Sequence, residues 1–175
     1  MDISLTSTGM SDGTRTEVIQ TSPKERIEER MDRITRGIVS FALADGGADL
    51  AVIEWSSYGS HGGEELAALR YMARVRLWRL HIPVAVVAPT TLKAYVTGNG
   101  RATKPQMVAA VDDRYMPGFA SIKVTHGRDD LADAFGLAAM GYDYVGLPLP
   151  SRVAAPDPRR ESLNSVAWPS LVSDD

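Results

Sequence analysis

The chain contains no cysteine, which removes any disulfide framework and any thiolate metal site. It has no apolar run of 18 residues, the length at which a membrane-spanning helix becomes a candidate. Its start, Met-Asp-Ile-Ser-Leu-Thr, lacks the basic segment followed by an apolar one that marks a secretory leader. These absences suggest a soluble, cytoplasmic protein with no membrane partner. Histidine is scarce, with three in all. His61 and His81 flank a helix, and His126, close in sequence to Asp130, is a candidate accessory proton carrier.

What is present suffices for a single domain with a full core: 175 residues, 44% of them hydrophobic. The domain is expected over residues 1–146. From 147 to 175 Pro, Ser and charge dominate, Trp168 is the bulky anchor, and the stretch reads as a mobile tail. Ile3 to Thr8 and Thr16 to Thr21 are rich in β-branched residues and flank the turn signal Ser11-Asp12-Gly13, so an antiparallel pair is expected. Ser22-Pro23-Lys24-Glu25 has the form of a capping box with Pro at the first helical position. Ile27, Met31, Ile34, Ile38 and Phe41 then recur at helical spacing until Gly46-Gly47. Leu50 to Glu54 and Ile82 to Ala88 are short continuous apolar runs, the pattern of buried parallel strands. Glu64 to Leu80 reads as an amphipathic helix between them. A second capping box, Thr103 to Gln106, opens a helix through about Val111, and a last helix is expected over about Asp129 to Met140. Two strands followed by helices alternating with buried strands indicate an α/β domain, with a mixed sheet covered by helices on both faces.

The net charge of −3 conceals an asymmetry. Between Leu66 and Arg128 ten basic residues stand against two acidic ones, Asp112 and Asp113. A surface built from that stretch attracts phosphate, although solvated helix faces also carry such charges.

Four acids interrupt otherwise apolar segments. Asp2 opens the first strand, and Glu54 ends the run Leu-Ala-Val-Ile-Glu at the carboxyl end of a strand, where open α/β sheets place their sites. Asp130 and Asp133 are three apart, on one face of a helix and in its first turns, where the helix dipole also favours negative charge. Asp129 could be the cap of that helix. If the three segments meet, the acids form a cluster of hard oxygen ligands suited to Mg²⁺ or Mn²⁺, and two such ions support phosphodiester hydrolysis. The small residues from Ser4 to Gly9 would let a phosphate or metal approach the backbone. Gly98-Asn99-Gly100-Arg101-Ala102-Thr103-Lys104 runs into a helix N-terminus, so its N–H groups and two cations could hold a phosphate; a plain surface turn is the alternative.

Together these segments resemble the RuvC family of Holliday junction resolvases, especially its divergent phage-encoded members. The likeness runs from about Asp2 to Ala139. Asp2 with Gly9 looks like the family's first strand, and Ile53-Glu54 looks like its second acid. The string Gly98 to Met107 is close to the Gly-x-Gly-x-Ala-x-Lys-x-Gln signature, and Asp130-Leu131-Ala132-Asp133-Ala134 looks like the terminal Asp-x-x-Asp-Ala helix. The resemblance implies a ribonuclease H-like fold, a homodimer, and two Mg²⁺ ions held by Asp2, Glu54, Asp130 and Asp133, with Mn²⁺ able to substitute. It implies that Lys93 and Lys104 lie near the scissile phosphate and DNA backbone, Lys104 serving catalysis, and that Gly98, Asn99, Gly100 and Arg101 lie against a duplex arm. Two features depart from the pattern. Only Met1 precedes Asp2, where the family has several apolar residues. An aromatic follows the second acid in many members, whereas here Ser57 stands third after Glu54, between Trp55 and Tyr58; Tyr58 is the candidate for stacking on a base at the crossover.

The function implied is paired nicking of four-way DNA junctions. The alternatives are a structure-selective nuclease on flaps, forks or other branched DNA, and a non-catalytic DNA-binding module of the same fold. The dimer interface is expected partly from the helices Glu64 to Leu80 and Thr103 to Val111, with Tyr71, Leu77 and Trp78 at its surface.

Overall fold

A computed structural model describes residues 1–55, 63–123, 127–151 and 158–171. The first hairpin pairs β1 (Ser7–Ser11) with β2 (Thr16–Gln20), Gly9 opposite Val18. Its turn is closed by the Asp12 carboxylate, which accepts from the N–H groups of Thr14 and Arg15 at 2.9 and 2.7 Å. β3 (Ala51–Glu54) pairs in parallel with β4 (Val84–Val87), Glu54 opposite Val87.

The two pairs are joined by the first residues of the chain. Asp2 forms an isolated antiparallel bridge with Gly9, the two exchanging N–H···O bonds of 2.9 Å. On the other side the Met1 amine donates to Val52 O at 2.8 Å and the Glu54 N–H donates to Met1 O at 3.2 Å, the slanted pattern of a parallel pair. The order across the molecule is therefore β2, β1, the stub at Met1 and Asp2, β3, β4. This corrects the expectation of a strand from Ile3 to Thr8. Ser4 to Ser7 is a turn, with Ser4 Oγ donating to Ser7 O (2.8 Å) and Thr8 Oγ1 to Ser4 O (2.8 Å). These short hydroxyls satisfy backbone groups locally, so they bend the chain and leave the extended strand to begin only at Ser7.

Side chains alternate across this sheet, so each face builds its own core. Ile3, Met10 and Ile53 pack with α1 (Ile27–Leu43) and α2 (Gly63–Arg79) through Ile34, Ile38, Leu69 and Leu77. Val52, Ala85 and Val87 point the other way, into a cluster with α3 (Pro89–Thr97), α4 (Lys104–Arg114) and α5 (Arg128–Val145). The result is helices on both faces of a mixed α/β sheet, as the alternation of elements indicates. α3 follows β4 directly; Pro89 occupies its first turn and Gly98 ends it with φ 83°. The Ser22 to Glu25 box forms its Ser22 N–H···Oε1 Glu25 bond (2.8 Å), but as a turn ahead of a helix that begins only at Ile27.

Beyond α5 the described residues carry more anchors than Trp168. Leu149 is buried, and Ser151 Oγ donates to Gly13 O at 3.0 Å. A 3₁₀ segment, Pro158–Ser165, lies against α3, and the Trp168 ring stacks on Tyr144 with centroids 4.3 Å apart. Among the described residues no helix is long and apolar enough to cross a membrane.

Candidate active site

The four acids come together by strand alternation. Since Met1 stands level with Ile53, Asp2 stands level with Glu54. Ile53 and Ile3 face α1 and α2, so Glu54 and Asp2 face the opposite side, where α5 lies. α5 brings Asp130 and Asp133 over them. Its first turn packs so closely on β1 that a Cβ at Gly9 would collide with the Asp130 carbonyl. Gly9 therefore serves helix packing, a different cause from the ligand approach read from the sequence. The N-cap of α5 is Gly127 at φ 82°, which places Asp129 inside the first turn and corrects its reading as a cap.

Each acid keeps partial exposure while its carboxyl group is largely desolvated, and the pKa values record the crowding. Burial, then the charges of Asp2 and Asp133, raise Glu54 to about 8. Burial, then Asp2 and Asp130, raise Asp133 to about 7. Burial, then Asp130, raise Asp2 to about 6. Asp130 is also raised, chiefly by burial. The buried Ser7 hydroxyl, which faces Asp130 closely enough to favour its charged form, has no partner of good hydrogen-bond geometry among the described residues.

Cations ring the cluster. Lys93, half-buried on α3, opposes the charges of Glu54 and Asp133. Lys104, at the first position of α4, is exposed and ion-paired with Asp129, which holds its ammonium above the ordinary pKa. Arg70 of α2 is buried and opposes the charges of Glu54 and Asp2. The sequence reading gave Arg70 no role in the site. The signal was there: Arg70 falls on the apolar stripe of α2 with Leu69, Ala73 and Leu77, and an Arg does not enter such a stripe without a charge to meet.

The phosphate-loop candidates adjoin Lys104. Gly98, Asn99 and Arg101 are exposed, and Asn99 Oδ1 accepts from the Arg101 N–H at 3.0 Å. A Cβ at Gly100 would lie 3.0 Å from Thr90 O. The capping box at α4 forms, with the Thr103 N–H donating to Gln106 Oε1 at 2.8 Å. Trp55, next to Glu54, is held edge-on by Tyr71 (4.9 Å) and lies 5.4 Å from the Arg74 guanidinium. Tyr58, His61 and His126 lie outside the described residues.

Among the described residues no three acidic or histidine groups stand as a ready-made metal cage. The donor set still fits a hard divalent cation. It offers four oxygen-donor carboxyl groups, desolvated and mutually repelling, and added positive charge offsets both penalties.

No protein-family model matches the sequence, and no curated protein matches it. Solved structures do match. The chain is similar to Thermus thermophilus RuvC, with a TM-score of 0.59 and 20% identity over 83% of this chain and 93% of that one. It is also similar to T. thermophilus RuvC in complex with Holliday junction substrate, with a TM-score of 0.61 and 23% identity over 82% and 91% of the two chains. The fold is thus that of RuvC, a ribonuclease H-like α/β fold.

Proposed function

We propose that this protein is a metal-dependent endonuclease that resolves four-way DNA junctions by paired nicking. The observation that carries the reading is the convergence of Asp2, Glu54, Asp130 and Asp133 on one face of the sheet in a chain with the fold of RuvC. Those four acids would hold Mg²⁺, or Mn²⁺ in its place, and two such ions supply an activated water and charge stabilisation at the leaving oxygen. The remaining roles belong to the chain's own side chains. Arg70 opposes the raised pKa of the Asp2 and Glu54 carboxyl groups and so favours their charged, metal-binding forms. Lys93 faces the cluster from α3, where a phosphate oxygen presented to the acids would meet it. Lys104 exchanges Asp129 for the DNA backbone, a modest loss because the pair is exposed. The Gly98 to Arg101 loop offers backbone N–H groups and a guanidinium to the next phosphates, and Tyr58 remains the candidate for stacking at the crossover.

Two active sites on paired strands require two copies. The α2 surface supplies a face for a homodimer: Tyr71, Met72, Val75 and Trp78 are all exposed, Trp78 at 72%, and three of them recur at helical spacing. Leu77, expected on that surface, is buried in the core instead, because it lies a quarter-turn from Trp78 on the inward stripe. α4 contributes no large hydrophobic residue to the exposed set among the described residues.

The test is a cleavage panel in Mg²⁺ comparing a four-way junction, a flap, a fork and linear duplex. Symmetric nicks in the junction, with linear duplex intact, are expected. Equal cutting of all four would leave a nuclease but remove junction resolution.

A further inference from the structure

Ser7 Oγ is buried and has no hydrogen-bond partner of good geometry among the described residues. The neighbouring hydroxyls are committed. Ser4 Oγ donates to Ser7 O at 2.8 Å and accepts from the Ser7 N–H at 3.1 Å, while Thr8 Oγ1 donates to Ser4 O at 2.8 Å. These bonds fix the Ser7 backbone at the start of β1 and leave its side chain out of the turn. A buried hydroxyl left unpaired is costly, so what it faces matters.

It faces Asp130. A Cβ at Gly127 would stand 2.8 Å from Ser7 Oγ, 3.2 Å from Asp130 Oδ2 and 3.2 Å from Val18 Cγ1. The hydroxyl and the carboxylate therefore border one notch, which exists because the N-cap of α5 has no side chain. Val18 walls the notch with an apolar methyl, so the acceptor set before the hydroxyl is Asp130 Oδ2. The two elements cannot drift apart independently, since β1 already touches the Asp130 carbonyl at Gly9, two residues further on. What separates the hydroxyl from a good bond is the turn of the carboxylate, and the last torsion of an aspartate is broad and soft.

We infer that Ser7 is the positioning residue for Asp130: its hydroxyl donates to Oδ2 when the acid cluster carries a divalent cation, and so turns the other carboxylate oxygen toward the ion. Carboxylates that ligate metals are themselves held by hydrogen bonds, and losing such a bond weakens metal affinity by about tenfold or more. A hydroxyl suits the place because it is neutral. It orients the carboxylate without the competing charge that a lysine or arginine would bring. The inference rests on the metal reading of the four acids and adds to it a residue outside them.

The experiment compares Ser7→Ala, Ser7→Thr and Ser7→Val with the wild type in the full chain, reading Mn²⁺ affinity by calorimetry and the thermal melt in chelator. Threonine keeps the hydroxyl, and valine has nearly its shape without it. The expected result is an affinity about tenfold lower for Ser7→Ala and Ser7→Val, with Ser7→Thr close to the wild type. The metal-free melt of Ser7→Ala should stay close to that of the wild type, because the hydroxyl has no well-formed bond to lose there. Wild-type affinity in Ser7→Ala, a metal-free Tm that falls together with its affinity, or equal affinities for Ser7→Thr and Ser7→Val would each overturn the inference. Should the two β-branched variants fail to fold, Ser7→Ala decides alone. A wild type that binds no Mn²⁺ would overturn the metal reading itself, and the inference with it.

Discussion

At the scale of the residue, Gly9 and Lys104 show how one side chain, or its absence, sets the site. Gly9→Ala forces a methyl into the Asp130 carbonyl, a backbone atom that cannot swing aside. α5 must therefore retreat from the sheet, at a cost of about 1–3 kcal/mol. A melt of the variant should be lowered accordingly, and a native-like Tm would show that the helix is not held so close. Lys104→Ala should weaken junction binding and lower the logarithmic salt slope by about 1; an unchanged slope would make Lys104 a surface charge paired only with Asp129. The acids were legible in the sequence because each interrupts an apolar segment. Arg70 has no place in the site on the sequence alone and Asp129 reads there as a helix cap, since an arginine in a helix rich in arginine and an acid at a helix start both have ordinary explanations. Only packing shows that one is buried beside the cluster and the other holds Lys104.

At the scale of the element, β2, β3 and β4 lie within two residues of their expected ranges. α2, α4 and α5 follow their apolar periodicity and end within a few residues of expectation. The first strand did not. Ile3 to Thr8 has the composition of a strand, but Ser4 and Thr8 spend their hydroxyls on nearby backbone, and the ladder begins at Ser7. α3 was missed because Pro89-Thr90-Thr91 looks like a loop when the strand before it is not yet known to turn there. The exposed apolar face of α2 is the proposed dimer surface. Trp78→Glu places a charge on the apolar stripe without touching the core, so it should shift sedimentation from dimer to monomer and leave the melt of the monomer intact. A wild-type protein that sediments as an active monomer with or without junction would contradict the dimer.

At the scale of the whole molecule, the acid cluster couples folding to pH and, on the proposed function, to metal. In chelator, Asp2, Glu54 and Asp133 have folded-state pKa values of about 6, 8 and 7, against ordinary values of 3.8, 4.5 and 3.8. A raised carboxyl pKa means that the folded chain holds protons the unfolded chain has released. The stability is fully present below about pH 4 and is lost as pH rises through 6 to 8. The Met1 amine, lowered by burial from 8.0 to about 5, acts in the opposite sense between those values, but it is one group against three. The metal-free Tm should therefore fall from pH 5 to pH 8, and Mg²⁺ should restore more of it at pH 8 than at pH 5. A metal-free Tm that rises over that interval would mean the acids are not crowded in solution.

The most direct measurement of the central claim is cleavage of a four-way junction by the wild type and by Glu54→Gln in Mg²⁺, with junction binding followed in parallel in Ca²⁺. Glutamine keeps the volume of the side chain at the end of β3 and removes its charge from the cluster. Paired nicks by the wild type, and a variant that binds the junction equally well but does not cut it, are the predicted result; full cleavage by the variant would remove Glu54 from the site and contradict the account.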